Sequence, residues 1–156
     1  MRDSGQTTLS ERVDLMGRGV HSGAPAKVSI SPADAGTGIV FIRHNGTSHE
    51  IPVSPQAVRN TDFATVLGQG DVEIATVEHL LAALSGLGVD NAIVDVDGGE
   101  VPIFDGSAHA FVEAIDGAGV EAQAAPRRYL KMLKPVRVED GRAQGELLPY
   151  DGGFRV

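Results

Sequence analysis

The chain has 156 residues, 42% of them hydrophobic, with 20 Gly, 8 Pro and no Trp, a composition that folds around a sizeable core and is not that of a disordered chain. Its formal charge of −8, from 21 acidic against 13 basic residues with no Lys/Arg concentration, provides no phosphate-tracking surface and argues against nucleic acid as a partner. The absence of cysteine excludes a disulfide framework, a thiolate metal site and a thiol nucleophile, leaving His, Asp and Glu as the available transition-metal ligands.

The N-terminal stretch Met1 to Gln6 lacks the apolar core of a signal peptide. No run approaches the ~20 apolar residues that span a bilayer, so a cytoplasmic protein without an integral membrane segment is expected. The first seventy-five residues read as short strands broken by turns. Alternation over Lys27 to Ser31 and an apolar run over Ile39 to Ile42 predict two of them, with Pro32, Asp34, Gly36 and Gly38 turning the chain between. Phe63 to Leu67, a three-residue loop Gly68-Gln69-Gly70, and Val72 to Ile74 predict a further hairpin.

From there the period changes. Val77, Leu80, Leu81 and Leu84 fall at i, i+3, i+4 and i+7, the stripe of a helix that packs one face on a core. Thr76 is its expected N-cap, and Gly86 and Gly88 end it. Asn91 to Val96 reads as a strand, and a second helix carries Ala108, Phe111, Val112 and Ile115 behind the N-cap candidate Ser107, stopping at Gly117 and Gly119. Two helices against a sheet make a layered α+β domain. Glu121 to Arg128 has the composition of a linker, after which Val136, Val138, an Asp140-Gly141 turn and Leu147-Leu148 restart strand-like patterning. The expected division is a domain over residues 1–125, followed over 126–156 by a linker and the first strands of a second domain, too short to close a core alone.

Several motifs fail on inspection. Gly17-Arg18-Gly19-Val20-His21-Ser22-Gly23 places its third glycine one residue late for a dinucleotide loop, and no helix pattern follows. Asp95 to Glu100 matches a calcium loop only in its first three positions. Ser107 sits where a cap is expected rather than a nucleophile. Of the five histidines, His44 and His49 are expected on a solvated loop with Asn45 and Gly46, and His109 off the apolar stripe of its helix. His21 follows the glycine-rich turn, where a structural role packed on backbone competes with a place in a site.

Glu78 and His79 stand apart. With Thr76 as N-cap they occupy the second and third helical positions, so both side chains leave from the helix mouth. A histidine there replaces the Glu or Gln of a capping box, a locally poor choice of the kind found at functional sites. An imidazole at that position could ligate zinc while the adjacent carboxylate takes a proton from a metal-activated water. No His-Glu-x-x-His spacing and no second ligand at helical spacing accompany them, so the residues alone leave the metal reading open.

The run from Thr76-Val77-Glu78-His79-Leu80-Leu81 through Asp90-Asn91 resembles the signature of the UDP-3-O-acyl-N-acetylglucosamine deacetylases. So do Gly19 to Gly23, Glu100-Val101-Pro102-Ile103-Phe104-Asp105-Gly106-Ser107-Ala108, and Lys134 to Gly141, in the family's order and nearly from end to end. The resemblance implies a two-layer sandwich of two helices on a mixed β-sheet with a small inserted sheet. It also implies a zinc-dependent hydrolase of lipid A biosynthesis in Gram-negative bacteria, which removes the acetyl group from a UDP-linked acylated glucosamine. Glu78 matches the family's general base and His79 its first zinc ligand. Phe63 falls in the inserted sheet, where contact with substrate and a place in the local core both stay open; His21 is a further candidate for substrate binding. The family's remaining ligands, its oxyanion-stabilising Thr and a catalytic His lie in a second domain, beyond Val156. The isolated chain is therefore expected to bind no stoichiometric zinc, to be inactive, and to self-associate through Leu147, Leu148, Phe154 and Val156, less so when trimmed after Ala125. The competing reading is a stand-alone, non-catalytic binding module on the same scaffold, which a stop codon after Val156 in the natural reading frame would favour.

Overall fold

The computed structural model describes residues 5–153 and 155–156; Met1 to Ser4, and Phe154 of the expected apolar tail, lie outside the described residues. In chain order, β1 (Gly5–Leu9) leads to β2 (Val13–Arg18) and β3 (Pro25–Pro32), the latter two pairing antiparallel with Val13 opposite Ile30. β4 (Ile39–Asn45) and β5 (Thr47–Pro52) form a hairpin turned at Gly46, whose φ is 73°. A 3-10 turn at Pro55–Ala57 precedes β6 (Val58–Asn60), β7 (Val66–Gln69) and β8 (Val72–Ile74), a small antiparallel sheet of three strands. Then come α1 (Glu78–Leu87), β9 (Ala92–Asp97), α2 (His109–Ala118), β10 (Val120–Pro126) and a last hairpin, β11 (Val136–Asp140) with β12 (Ala143–Leu147).

The main sheet has the order β2-β3-β9-β4-β5, parallel only where β9 enters beside β4. With two helices beside a mixed sheet and a small second sheet, the fold is the α+β sandwich expected. Strict alternation builds its core: Val28 and Ile30, Phe41, Ile51, and Val94 with Val96 all point to one face, where they are completely buried. Leu80 and Leu84 of α1 and Phe111 and Ile115 of α2 complete the same cluster. Each such side chain, taken out of water, contributes roughly 1.5–3 kcal/mol before chain entropy is counted. No helix among the described residues is long and apolar enough to cross a membrane.

Three local expectations are corrected. Gly68 and Gln69 are strand residues, paired with Glu73 and Val72; the turn is the two-residue Gly70-Asp71, with Gly70 at φ 59°. A two-residue turn with a left-handed first position matches strand twist better than a three-residue loop. His44 and His49 are not on a loop but on β4 and β5, because Asn45-Gly46 closes a hairpin rather than an open connection. His44 Nε2 lies 2.9 Å from Asp95 Oδ1 across the exposed face of the sheet. Val120–Pro126, linker-like by composition, is a strand because β1 pairs with it, Thr7 opposite Ala122 and Leu9 opposite Val120.

Immediately after β10, Arg127 ties the chain to the end of α1. Its Nε and Nη2 donate to Asp90 Oδ2 at 2.9 and 2.7 Å, and Nη2 also donates to the Gly88 carbonyl at 2.9 Å. A cation at the carbonyl end of a helix is favourably placed. Beyond it, β11 and β12 pair with each other and with no further strand among the described residues, and every residue of both is exposed.

Candidate active site

The mouth of α1 is shaped by three residues that precede it. Ala75 docks on the segment leaving β9: its N–H donates to the Gly99 carbonyl at 2.9 Å, and its own carbonyl accepts from Val101 N–H at 3.0 Å. Thr76 then takes φ 61°, an outlier for a β-branched residue, while 2% exposed. Val77 is already helical at φ −83°, ψ −15°, and its carbonyl accepts the Leu81 N–H at 3.0 Å to close the first turn.

Thr76 is therefore not the N-cap that the sequence suggests. Cap residues are extended and accept a helix N–H, whereas Thr76 is left-handed and its hydroxyl donates to Glu100 Oε1 at 3.1 Å. Val77 takes the cap position without a side-chain bond, so Glu78 and His79 stand at the first and second helical positions, and the capping-box comparison does not apply to His79. Ser107 is likewise not the N-cap of α2: Ala108 takes that position without a side-chain bond, and the Ser107 Oγ accepts the His109 N–H at 3.1 Å from one residue further out.

Glu78 and His79 are both half-buried. Glu78 Oε2 accepts the Thr65 N–H at 3.0 Å, fixing the carboxylate against the chain that leads into β7. One oxygen is thus spent on orientation while the other stays available to a proton. Phe63, two residues upstream of Thr65, is 90% exposed, so of its two readings the local-core one is overturned: no neighbour among the described residues covers its ring. His21 is exposed on the turn after β2, and its backbone N–H donates to Glu100 Oε1 at 3.0 Å.

Glu100 is the residue the sequence reading missed. It is 6% exposed, and beside the His21 N–H and Thr76 hydroxyl it accepts the Ser22 N–H at 3.0 Å and the Ser22 hydroxyl at 2.6 Å, both on Oε2. Burial pushes its carboxyl up, but the hydrogen bonds from His21, Ser22 and Thr76 outweigh that and hold it down at about 2, against a usual 4.5. Gly19 completes the cradle: a Cβ there would collide with Glu100 Oε2 and Ser22 Oγ. One buried carboxylate thus joins the His21 turn to the entrance of α1. The only hint in the sequence was that Gly19 to Gly23, Thr76 and Glu100 all lie in segments that carry the family resemblance.

Among the described residues no group of three or more His, Asp or Glu side chains converges to hold a metal ion. His79 has the donor chemistry of a zinc ligand and Glu78 beside it that of a base, but a catalytic zinc takes three protein ligands. The set fits part of a metal site.

A family profile described as UDP-3-O-acyl N-acetylglycosamine deacetylase matches residues 6–156. Among similar proteins are the UDP-3-O-acyl-N-acetylglucosamine deacetylases of Brucella ovis and Brucella canis, each 48% identical over 148 residues, which is 94% of this chain and 52% of theirs. That of Brucella melitensis biotype 2 is 47% identical over the same shares. The chain spans about half the length of the curated relatives it matches.

Proposed function

The chain belongs to the UDP-3-O-acyl N-acetylglycosamine deacetylase family, and we propose that it forms the N-terminal half of a cytoplasmic, zinc-dependent amidohydrolase of lipid A biosynthesis in Gram-negative bacteria. The substrate is a UDP-linked acylated glucosamine, whose N-acetyl group leaves as acetate. The observation that carries this reading is the pairing of a half-buried carboxylate, oriented by Thr65 N–H, with a half-buried imidazole on the next residue, at the mouth of a helix.

His79 would hold the zinc together with ligands from the second half, and the metal, when bound, supplies Lewis-acid polarisation of the amide carbonyl. Glu78 accepts a proton from the attacking water; its bond to Thr65 keeps the carboxylate from rotating away. The leaving amine takes its proton from a group in the second half. The test is to compare this chain with the full-length protein for zinc content after desalting and for acetate release. Zinc and turnover should appear only in the full-length protein; near-stoichiometric zinc on the 156-residue chain would show that the ligand set is not divided between halves.

Phe63 reaches solvent beside that site, and we assign it to substrate contact rather than to folding. Phe63→Ala should change stability by no more than about 0.5 kcal/mol, the range of exposed substitutions. In the full-length protein it should raise KM, and a large drop in the unfolding midpoint would reassign Phe63 to the scaffold.

The last hairpin exposes Val138, Leu147 and Leu148, each more than half accessible, and its strand edges are unpaired among the described residues. These faces would pack within the second half and, without it, should pair between copies. Sedimentation of the 156-residue chain should therefore show concentration-dependent self-association. Trimming after Arg128, which keeps β10 and the Arg127 clamp, should abolish it; identical behaviour of the two chains would show that the hairpin is not responsible.

A further inference from the structure

We propose that Glu100 is a positioning residue for the deacetylation, its buried carboxylate tying the His21-Ser22 turn to Thr76 and so holding the mouth of α1, with Glu78 and His79, at a fixed place against that turn. The inference rests on the function proposed above and adds to it a residue that touches neither substrate nor metal. Four donors from two separate segments converge on the two oxygens. Oε1 takes the His21 N–H and the Thr76 hydroxyl, and Oε2 takes the N–H and hydroxyl of Ser22. Two of the donors are backbone N–H groups that cannot reverse, one on each oxygen. A carboxylate satisfies both, whereas an amide of the same shape must present its NH2 to one of them. Neither the carboxylate nor the turn can shift far, because Gly19 is in direct contact with both and leaves no space for a methyl group.

The link to the site runs through Thr76. Its φ of 61° sets the direction in which α1 departs, and a β-branched residue held there is strained and kept in place only by surrounding contacts. The hydroxyl bond to Glu100 is such a contact. Without it Thr76 can relax towards the right-handed or extended regions, and the first turn of α1, two residues on, moves with it. A displacement of about 1 Å at a catalytic group is enough to cost ~10²-fold in rate.

The experiment uses the full-length protein, with the variants Glu100→Gln, Thr76→Val, Thr76→Ser and the double Glu100→Gln/Thr76→Val, assayed well below their unfolding midpoints. Glu100→Gln is expected to lower kcat by ~10-fold or more at full zinc content. Thr76→Val should lower it too, Thr76→Ser should restore it, and the double variant should be no slower than Glu100→Gln alone, the signature of two groups in one interaction. A Glu100→Gln protein that melts earlier but keeps its full kcat per folded, zinc-loaded molecule overturns the proposal and leaves Glu100 a scaffold residue. Amide hydrogen exchange supplies a readout independent of turnover. Glu100→Gln should accelerate exchange at His21 and Ser22 and also at Leu81, whose N–H closes the first turn of α1. Acceleration confined to His21 and Ser22 likewise overturns it. Wild-type protein without deacetylase activity would instead count against the function proposed, and the exchange data would still decide the role of Glu100.

Discussion

Glu78→Gln in the full-length protein is expected to lower kcat by ~10² or more while KM and zinc content stay near the wild-type values. Gln has the shape of Glu, and its amide oxygen can still accept the Thr65 N–H that Glu78 Oε2 accepts, so the substitution leaves the entrance of α1 in place. What it removes is the ability to hold a proton. A loss confined to kcat, with binding intact, marks an interaction made only in the transition state. Steady-state kinetics with metal analysis on the same preparation makes the comparison. Unchanged kcat would move the base to another residue, and loss of zinc together with activity would make Glu78 a support of the metal rather than a base.

Elements whose side chains repeat with a clear period were legible in the sequence. The stripe Val77, Leu80, Leu81, Leu84 gave α1, and alternation over Lys27 to Ser31 gave β3, because burial of one face imposes the pattern directly. β10 was hidden for the converse reason. Most of its residues are exposed, so composition made it a linker, and only pairing with β1, more than a hundred residues away, makes it a strand. β5 was hidden by its turn: Asn45-Gly46 drew the whole of His44 to His49 into an expected loop. At the site, Glu78 and His79 could be found because they are adjacent and stand at a helix entrance. Glu100 could not be found from local pattern, since its partners His21 and Thr76 lie 79 and 24 residues away. Thr76 was misread for the same reason: nothing nearby in the chain reveals that its hydroxyl is committed to a carboxylate elsewhere.

That commitment makes the stability of the protein depend on pH in a window set by Glu100. In the unfolded chain the carboxyl takes up its proton near the usual 4.5, whereas in the folded protein it stays ionised down to about 2. The group thus contributes its full stabilisation above about pH 4.5, loses it progressively as the pH falls, and contributes nothing below about pH 2. The difference between the two values corresponds to on the order of 3 kcal/mol. Glu100→Ala should therefore lower stability at neutral pH by about that amount or more, since it also strands the buried Thr76 hydroxyl and the His21 and Ser22 N–H groups without an acceptor. Urea unfolding midpoints measured from near-neutral pH down to about pH 2.5 test this. The gap between wild type and Glu100→Ala should be constant above about pH 5 and narrow steadily below it. Gly19→Ala should fall on the same side, because its added Cβ drives the Glu100 carboxylate out of the cradle. If the gap holds the same size at low pH, Glu100 stabilises the fold by packing alone, since only an ionised carboxylate loses its contribution by taking up a proton.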